Sequence, residues 1–179
     1  MVTNGGKWCK LMLYHYHCTS AAVFHGRGAA SMLIGTYSHA LDNKGRVFIP
    51  SKWRESVGDL LIVMHWILPG QDQCCLFAMS LNEWDQFSAR LSQLPMTDMD
   101  AQEVKRRLYA NAAACEIDRQ GRILLPQQLR DLAGIQSDAT LIGVGNRIEL
   151  WNPSALESHY AQTSDHYGAA LAHLSEIGI

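Results

Sequence analysis

One pattern, written twice, constrains this chain more than anything else in it. DNKGRVFIP at residues 42–50 and DRQGRILLP at residues 118–126 both read Asp-x-x-Gly-Arg, three apolar residues, then Pro. Asp42, Gly45, Arg46, Pro50 and Arg54 align with Asp118, Gly121, Arg122, Pro126 and Arg130 at a single offset of 76 residues. Further on, LFAMSLNEW (76–84) aligns with IELWNPSAL (148–156) at an offset of 72, and the LPGQDQ loop (68–73) accounts for the four residues the second copy lacks. Gly, Pro and two Arg matched at fixed spacing identify an internal duplication.

Each copy carries the same local signals. An alternating or apolar stretch (GTYSHAL, NAAACEI) leads into a turn at 43–45 or 119–121, where Gly45 or Gly121 supplies the positive φ of a tight strand-to-strand connection. The runs VFI and ILL follow as a second strand. Pro50 and Pro126 end it and can open a short helix (SKWRESV, QQLRDLA), where a missing N–H costs nothing. More strand follows (LLIVMHWIL and CCLFAM; ATLIGVG and RIELW), and a helix closes each copy. Ser80-x-x-Glu83 is a capping-box pattern ahead of Leu81, Trp84, Phe87 and Leu91; in the second copy Asn152 can cap and Pro153 can take the first helical position. Between the copies, residues 100–114 predict a helix with Val104, Leu108 and Ala112 on one face. The predicted order is β-β-α-β-β-α, a helix, then the same again, a strand-rich α+β chain. The tail, 163–179, shows weak helical periodicity and reads as frayed.

With 179 residues, 47% of them hydrophobic, the chain can bury a real core as one medium domain or two small ones. Its net charge of -2 does not announce a nucleic-acid partner, so DNA binding requires locally concentrated Lys and Arg. The distribution is uneven: residues 1–31 hold Lys7, Lys10 and Arg27 with no acid, and from Asn152 onward there are Glu157, Asp165 and Glu176 with no Lys or Arg. Five cysteines, odd in number and without a C-x-x-C pair, point to reduced thiols of a cytosolic protein rather than a disulfide framework or a zinc site. No apolar run reaches the length of a membrane span. His15, His17 and His25 interrupt the apolar stretch that a secretory signal would need.

The two Asp-x-x-Gly-Arg segments, each with its apolar strand and Pro, resemble the paired AbrB-like swapped-hairpin modules of the MraZ proteins. So does the opening MLIGTYSHALDNKGRVFIP from Met32, and the resemblance covers roughly residues 32–162. It implies tandem β-hairpin modules in a swapped-hairpin, pseudo-dimeric barrel with peripheral helices. Module 1 is expected over 36–83, a helical linker over 84–111, module 2 over 112–155, and a C-terminal helix and tail over 156–179. Met32 stands where family members start, so residues 1–31 are expected to be an upstream extension, disordered or from a mis-assigned start. The function implied is a bacterial DNA-binding transcriptional regulator, cytoplasmic and nucleoid-associated. It would assemble as a ring-shaped homo-oligomer and recognise tandem repeats in double-stranded DNA near the division and cell-wall gene cluster. No cofactor, metal or membrane enters that expectation.

The residue chemistry stands beside the resemblance. A tip with Lys44 and Arg46, or Arg119 and Arg122, presents cations and backbone N–H groups to phosphate oxygens, and a two-stranded ribbon is slim enough for a major groove. Asp42 and Asp118, four residues before their Arg, can hold the guanidinium across the turn and lower the entropy lost on binding. The plainer alternative is that each Asp and Arg only staple the turn, with Arg facing inward. Duplication and family pattern favour DNA for Arg46 and Arg122, and turn support for Asp42, Gly45, Asp118 and Gly121. Lys52, Arg54 and Arg130, on the short helices after the prolines, either widen the basic patch or form a solvated helix face. Lys105-Arg106-Arg107 reads first as solvated surface or a subunit contact.

Three other readings compete. Catalysis is prompted by His39 near Asp42, by Cys74-Cys75, and by Cys115 beside Glu116, yet none has a paired base or a phosphate-cradling loop. A metal or thiol sensor is prompted by His15-Tyr16-His17-Cys18, an incomplete ligand set for zinc. A single-module AbrB-type regulator or antitoxin partner shares the hairpin, but two fused modules and a linker helix weigh against it.

Overall fold

The computed structural model describes residues 32–68 and 74–178. The segment 1–31, with His15, His17 and Cys18, and loop residues 69–73 lie outside the described residues. The elements run β1 (Leu33–Ala40), β2 (Arg46–Phe48), α1 (Ser51–Val57), β3 (Leu60–Ile67), β4 (Cys74–Ser80), α2 (Leu81–Ser92), α3 (Met99–Ala110), β5 (Ala112–Glu116), β6 (Arg122–Leu124), α4 (Gln127–Leu132), β7 (Asp138–Gly145), β8 (Arg147–Trp151) and α5 (Pro153–Glu176). The order and the mixed α+β class are those the sequence predicts.

The duplication reappears as topology. Six strands form an antiparallel sheet in the order β1-β7-β8-β4-β3-β5, and β2 pairs with β6 in a separate ribbon. Exchanging each strand for its equivalent in the other copy turns that order into its own reverse. Pairing centres where the symmetry requires: Phe77 lies opposite Glu149 in the sheet, and Val47 opposite Ile123 in the ribbon. The outer strands are exchanged between copies, β1 pairing with β7 and β5 with β3. Neither copy therefore completes its sheet alone.

A closed barrel does not form. The sheet is open, with edges at β1 and β5. The pseudo-symmetry sends these two equivalent strands to opposite ends, and each then turns away through its Asp-x-x-Gly segment into the ribbon instead of pairing with the other.

Alternation along the strands divides the core in two. Leu61, Val63, Leu76, Ala78, Leu141, Ile148 and Leu150 face one side, where Val47, Ile49, Ile123 and Leu125 of the ribbon segments cover them together with Trp53 of α1 and Leu129 of α4. Each of the four ribbon side chains is essentially fully buried, worth about 1.5–3 kcal/mol relative to exposure. Met64, Cys75, Phe77 and Trp151 face the other side, under Trp84 and Phe87 of α2, Leu108 of α3 and Leu156 of α5.

Helix ends follow local chemistry. Ser80 accepts the Glu83 N–H at 3.3 Å, as its capping-box pattern predicts, while the Glu83 carboxylate turns to the Asn146 amide at 2.8 Å. Asn152 caps α5 by accepting the N–H groups of Ser154 and Ala155. Pro50 and Pro126 occupy the capping positions themselves rather than the first helical turn. The helix predicted over 100–114 stops at Ala110 because Ala112–Glu116 is needed as the edge partner of β3. The tail that reads as frayed is continuous helix to Glu176.

Candidate nucleic-acid interface

Both Asp-x-x-Gly-Arg segments fold into one and the same turn. The Gly45 N–H donates to the Asp42 carbonyl and that of Gly121 to the Asp118 carbonyl, each at 2.8 Å, with φ +79° and +81° at the glycines. A side chain with a Cβ is strained in that region, which is why the pattern specifies Gly. The aspartates finish the turn. Asp42 Oδ1 accepts the N–H groups of Lys44 (2.9 Å) and Arg46 (3.0 Å), and Asp118 Oδ1 those of Gln120 (2.9 Å) and Arg122 (3.0 Å). The second carboxylate oxygen takes the arginine: Arg46 Nε at 2.6 Å from Asp42 Oδ2, Arg122 Nη2 at 2.7 Å from Asp118 Oδ2. The Arg122 side chain foremost, then its backbone N–H, lowers the Asp118 pKa to about 2. The Arg46 N–H does the most to lower that of Asp42.

The two turns meet. Arg46 Nη1 lies 3.9 Å from Asp118 Oδ2 and Arg122 Nη1 lies 3.6 Å from Asp42 Oδ2, closing a four-membered ring of charges between the copies. In the ribbon Arg46 stands opposite Leu124 and Phe48 opposite Arg122. Ile49 N–H donates to the Gly121 carbonyl at 2.9 Å, and Leu125 N–H to the Gly45 carbonyl at 3.1 Å.

Arg54 and Arg130, half-buried on the short helices, are each tied to the backbone and to the opposite turn. Arg54 Nε donates to the Ile49 carbonyl at 2.9 Å, and Arg130 Nε to the Leu125 carbonyl at 3.2 Å. Their guanidiniums lie against the turn glycine of the other copy, Arg54 on Gly121 and Arg130 on Gly45. Sequence reasoning missed this cross-copy clamp. The only signal for it was that both arginines belong to the repeat.

Lys44 and Arg119 are exposed at the tips. Lys44, Arg46, Arg54, Arg119, Arg122 and Arg130 thus converge on two short turns, where Asp42 and Asp118 pair with Arg46 and Arg122, a local concentration of cations on a chain of net charge -2. Lys52 is exposed on the first turn of α1, outside the contacts that join the tips. The Lys105-Arg106-Arg107 triplet sits on α3, across the sheet from the ribbon; Lys105 donates to the Leu94 carbonyl, and Arg106 and Arg107 pair with Glu103.

The ribbon brings in two residues that the sequence reading passed over. Val47 and Ile123 point inward, so Phe48 and Leu124 share the outer face with Arg46 and Arg122, 41% and 54% exposed. Period-two alternation within VFI and ILL was the available signal.

The thiols prompting a catalytic reading have a different chemistry. Burial pushes Cys115 up to about 11 and Cys75 higher still, holding both as neutral thiols. Cys74 donates to the Leu132 carbonyl at 3.0 Å. Among the described residues no group of three or more His, Cys, Asp or Glu could hold a metal ion, and no helix is long and apolar enough to cross a membrane.

Comparison with known proteins adds an independent line. A family model described as the MraZ protein, antitoxin-like, matches residues 32–107 and again 108–171. The chain belongs to the MraZ family. It is similar to the transcriptional regulator MraZ of Acetivibrio thermocellus, 48% identical over 128 residues, which cover 72% of this chain and 86% of that one. It is 43% identical over 148 residues to the protein of the same name from Caldicellulosiruptor saccharolyticus, covering 83% of this chain and all of that one. Each of the two MraZ-matched segments contains one Asp-x-x-Gly-Arg turn, and each turn is clamped by an arginine of the other segment.

Proposed function

We propose that this chain is a sequence-specific DNA-binding transcriptional regulator of the MraZ type, and not an enzyme. The observation that carries the reading is the convergence of six cations on two turns at opposite ends of a short two-stranded ribbon, a ribbon narrow enough for a major groove. The regulators of that name from Acetivibrio thermocellus and Caldicellulosiruptor saccharolyticus support the regulatory role. Lys44 and Arg119 meet phosphates at the rim. Arg46 and Arg122, pre-oriented by their aspartates, reach base edges or phosphates between them. Arg54, Arg130 and Lys52 add positive potential behind the tips.

The chain acts as a ring-shaped homo-oligomer on tandem repeats upstream of the division and cell-wall gene cluster, in the cytoplasm at the nucleoid. Repetition of subunits answers the electrostatic problem of a chain whose net charge is -2. One pair of tips binds weakly, whereas several pairs on one repeat array multiply phosphate contacts and avidity. The test is a mobility-shift titration on the DNA upstream of the protein's own coding sequence, with repeat number and salt varied. Tight binding that requires several repeats and falls steeply with salt is expected. Binding that is indifferent to sequence, or absent, would refute the proposal.

A further inference from the structure

We infer that Phe48 and Leu124 are specificity-determining residues that read thymine C5-methyl groups in the major groove. The inference rests on the DNA-binding reading and goes beyond it, since cations at the tips explain affinity but not which base pairs are preferred.

Four residues form the outward face of the ribbon: Arg46 opposite Leu124, and Phe48 opposite Arg122. Guanidiniums occupy one diagonal and large apolar side chains the other. Phe48 and Leu124 occupy equivalent places in the two copies, and both leave much of their surface to solvent although a buried apolar layer lies directly beneath them at Val47 and Ile123. Solvent-facing positions of a short ribbon ordinarily carry polar residues, so two symmetry-related exceptions flanked by arginines call for an apolar partner at a negatively charged surface. The major groove of DNA offers that combination, because thymine presents a methyl group there beside hydrogen-bonding edges, under two phosphate backbones.

The spacing fits. Residues two apart on a strand are separated by about 6.6 Å, close to two base-pair steps of about 3.4 Å. An Arg and its apolar neighbour on one strand can therefore address bases two steps apart. Phe48 is also held in place, with the Arg122 guanidinium 5.7 Å from its ring centre and the His39 ring 6.2 Å away. Because one tip carries Phe and the other Leu, the two halves of the ribbon read methyl groups at different reach, and the half-sites need not be identical.

The experiment compares binding of the full chain to its own upstream DNA with binding to the same fragment synthesised with uracil in place of thymine, which removes only the methyl groups. The wild type should bind the uracil fragment more weakly, by about four-fold for each methyl read. Phe48→Ser and Leu124→Ser should weaken binding to the thymine fragment and lose part of the discrimination, and the double variant should lose nearly all of it. Phe48→Leu, which preserves an apolar contact, should keep it. Equal wild-type binding to both fragments, or full discrimination retained by the double variant, overturns the inference and leaves the DNA-binding reading standing. Failure of the wild type to bind the thymine fragment overturns the DNA-binding reading itself. A change of oligomeric state in the serine variants, seen by size-exclusion chromatography with discrimination retained, would assign the face to contact between copies and also overturn the inference.

Discussion

The guanidinium of Arg54 fills the space beside Gly121, its Cζ 2.0 Å from where a Cβ on that glycine would stand. The glycine serves two purposes: it permits the positive φ of its turn and makes room for an arginine from the other copy. Gly45 and Arg130 repeat the relationship with more room, the nearest atom being 2.8 Å away. The two glycines are thus equivalent in the sequence pattern and unequal in the structure.

Gly121→Ala should therefore destabilise the fold more than Gly45→Ala. Both substitutions meet left-handed strain of about 1–2 kcal/mol. Gly121→Ala also displaces Arg54 from its bond to the Ile49 carbonyl, adding about 1 kcal/mol. Midpoints of denaturant unfolding check the order, and equal midpoints would contradict it.

Gly143→Ala should be costly for another reason. Its backbone needs no positive φ, but a Cβ there would stand 2.6 Å from the backbone nitrogen of Ile34 and from the carbonyl carbon of Leu33. Neither can move without parting β1 from β7, so a loss of about 1–3 kcal/mol is expected. Amide hydrogen exchange should show protection lost first along β1.

Asp118→Asn should flatten the acid side of the stability profile. The folded carboxyl titrates at about 2 against an ordinary 3.8, so its stabilising contribution is present above about pH 4 and is lost as pH falls toward 2. The variant should be less stable at neutral pH and lose less between pH 4 and 2. Unfolding free energies measured across that window decide the matter; parallel profiles would show that Asp118 is not the titrating group.

Arg46→Ala should weaken DNA binding and leave secondary structure and assembly unchanged, because Arg46 is the more exposed member of the charge ring, 30% against 15% for Arg122. Arg122→Ala should weaken binding as well. A loss of about 5- to 150-fold is expected for a base-edge contact, and a salt slope shallower by about one for a phosphate contact. Undiminished binding by the double variant would refute both assignments.

Much of this architecture is legible in the chain itself. The repeat carries its own turn chemistry, with Asp to accept two N–H groups, Gly to take the positive φ and Pro to end the strand. These are interactions between residues at most four apart, so local sequence suffices to specify them. The helix caps at Ser80 and Asn152 are legible for the same reason.

What only the tertiary structure decided is who meets whom. Nothing in DNKGRVFIP states that Arg46 will lie near Asp118, that β1 will pair with β7, or that Arg54 will cross to Gly121. Those contacts join residues dozens of positions apart, and they arise because each copy leaves strand edges and an apolar face that only the other can cover. The open sheet in place of a barrel has the same origin. The sequence by itself determined two matching turns. The exchange of strands between copies set them side by side, placed four charges in one ring, and turned Phe48 and Leu124 outward.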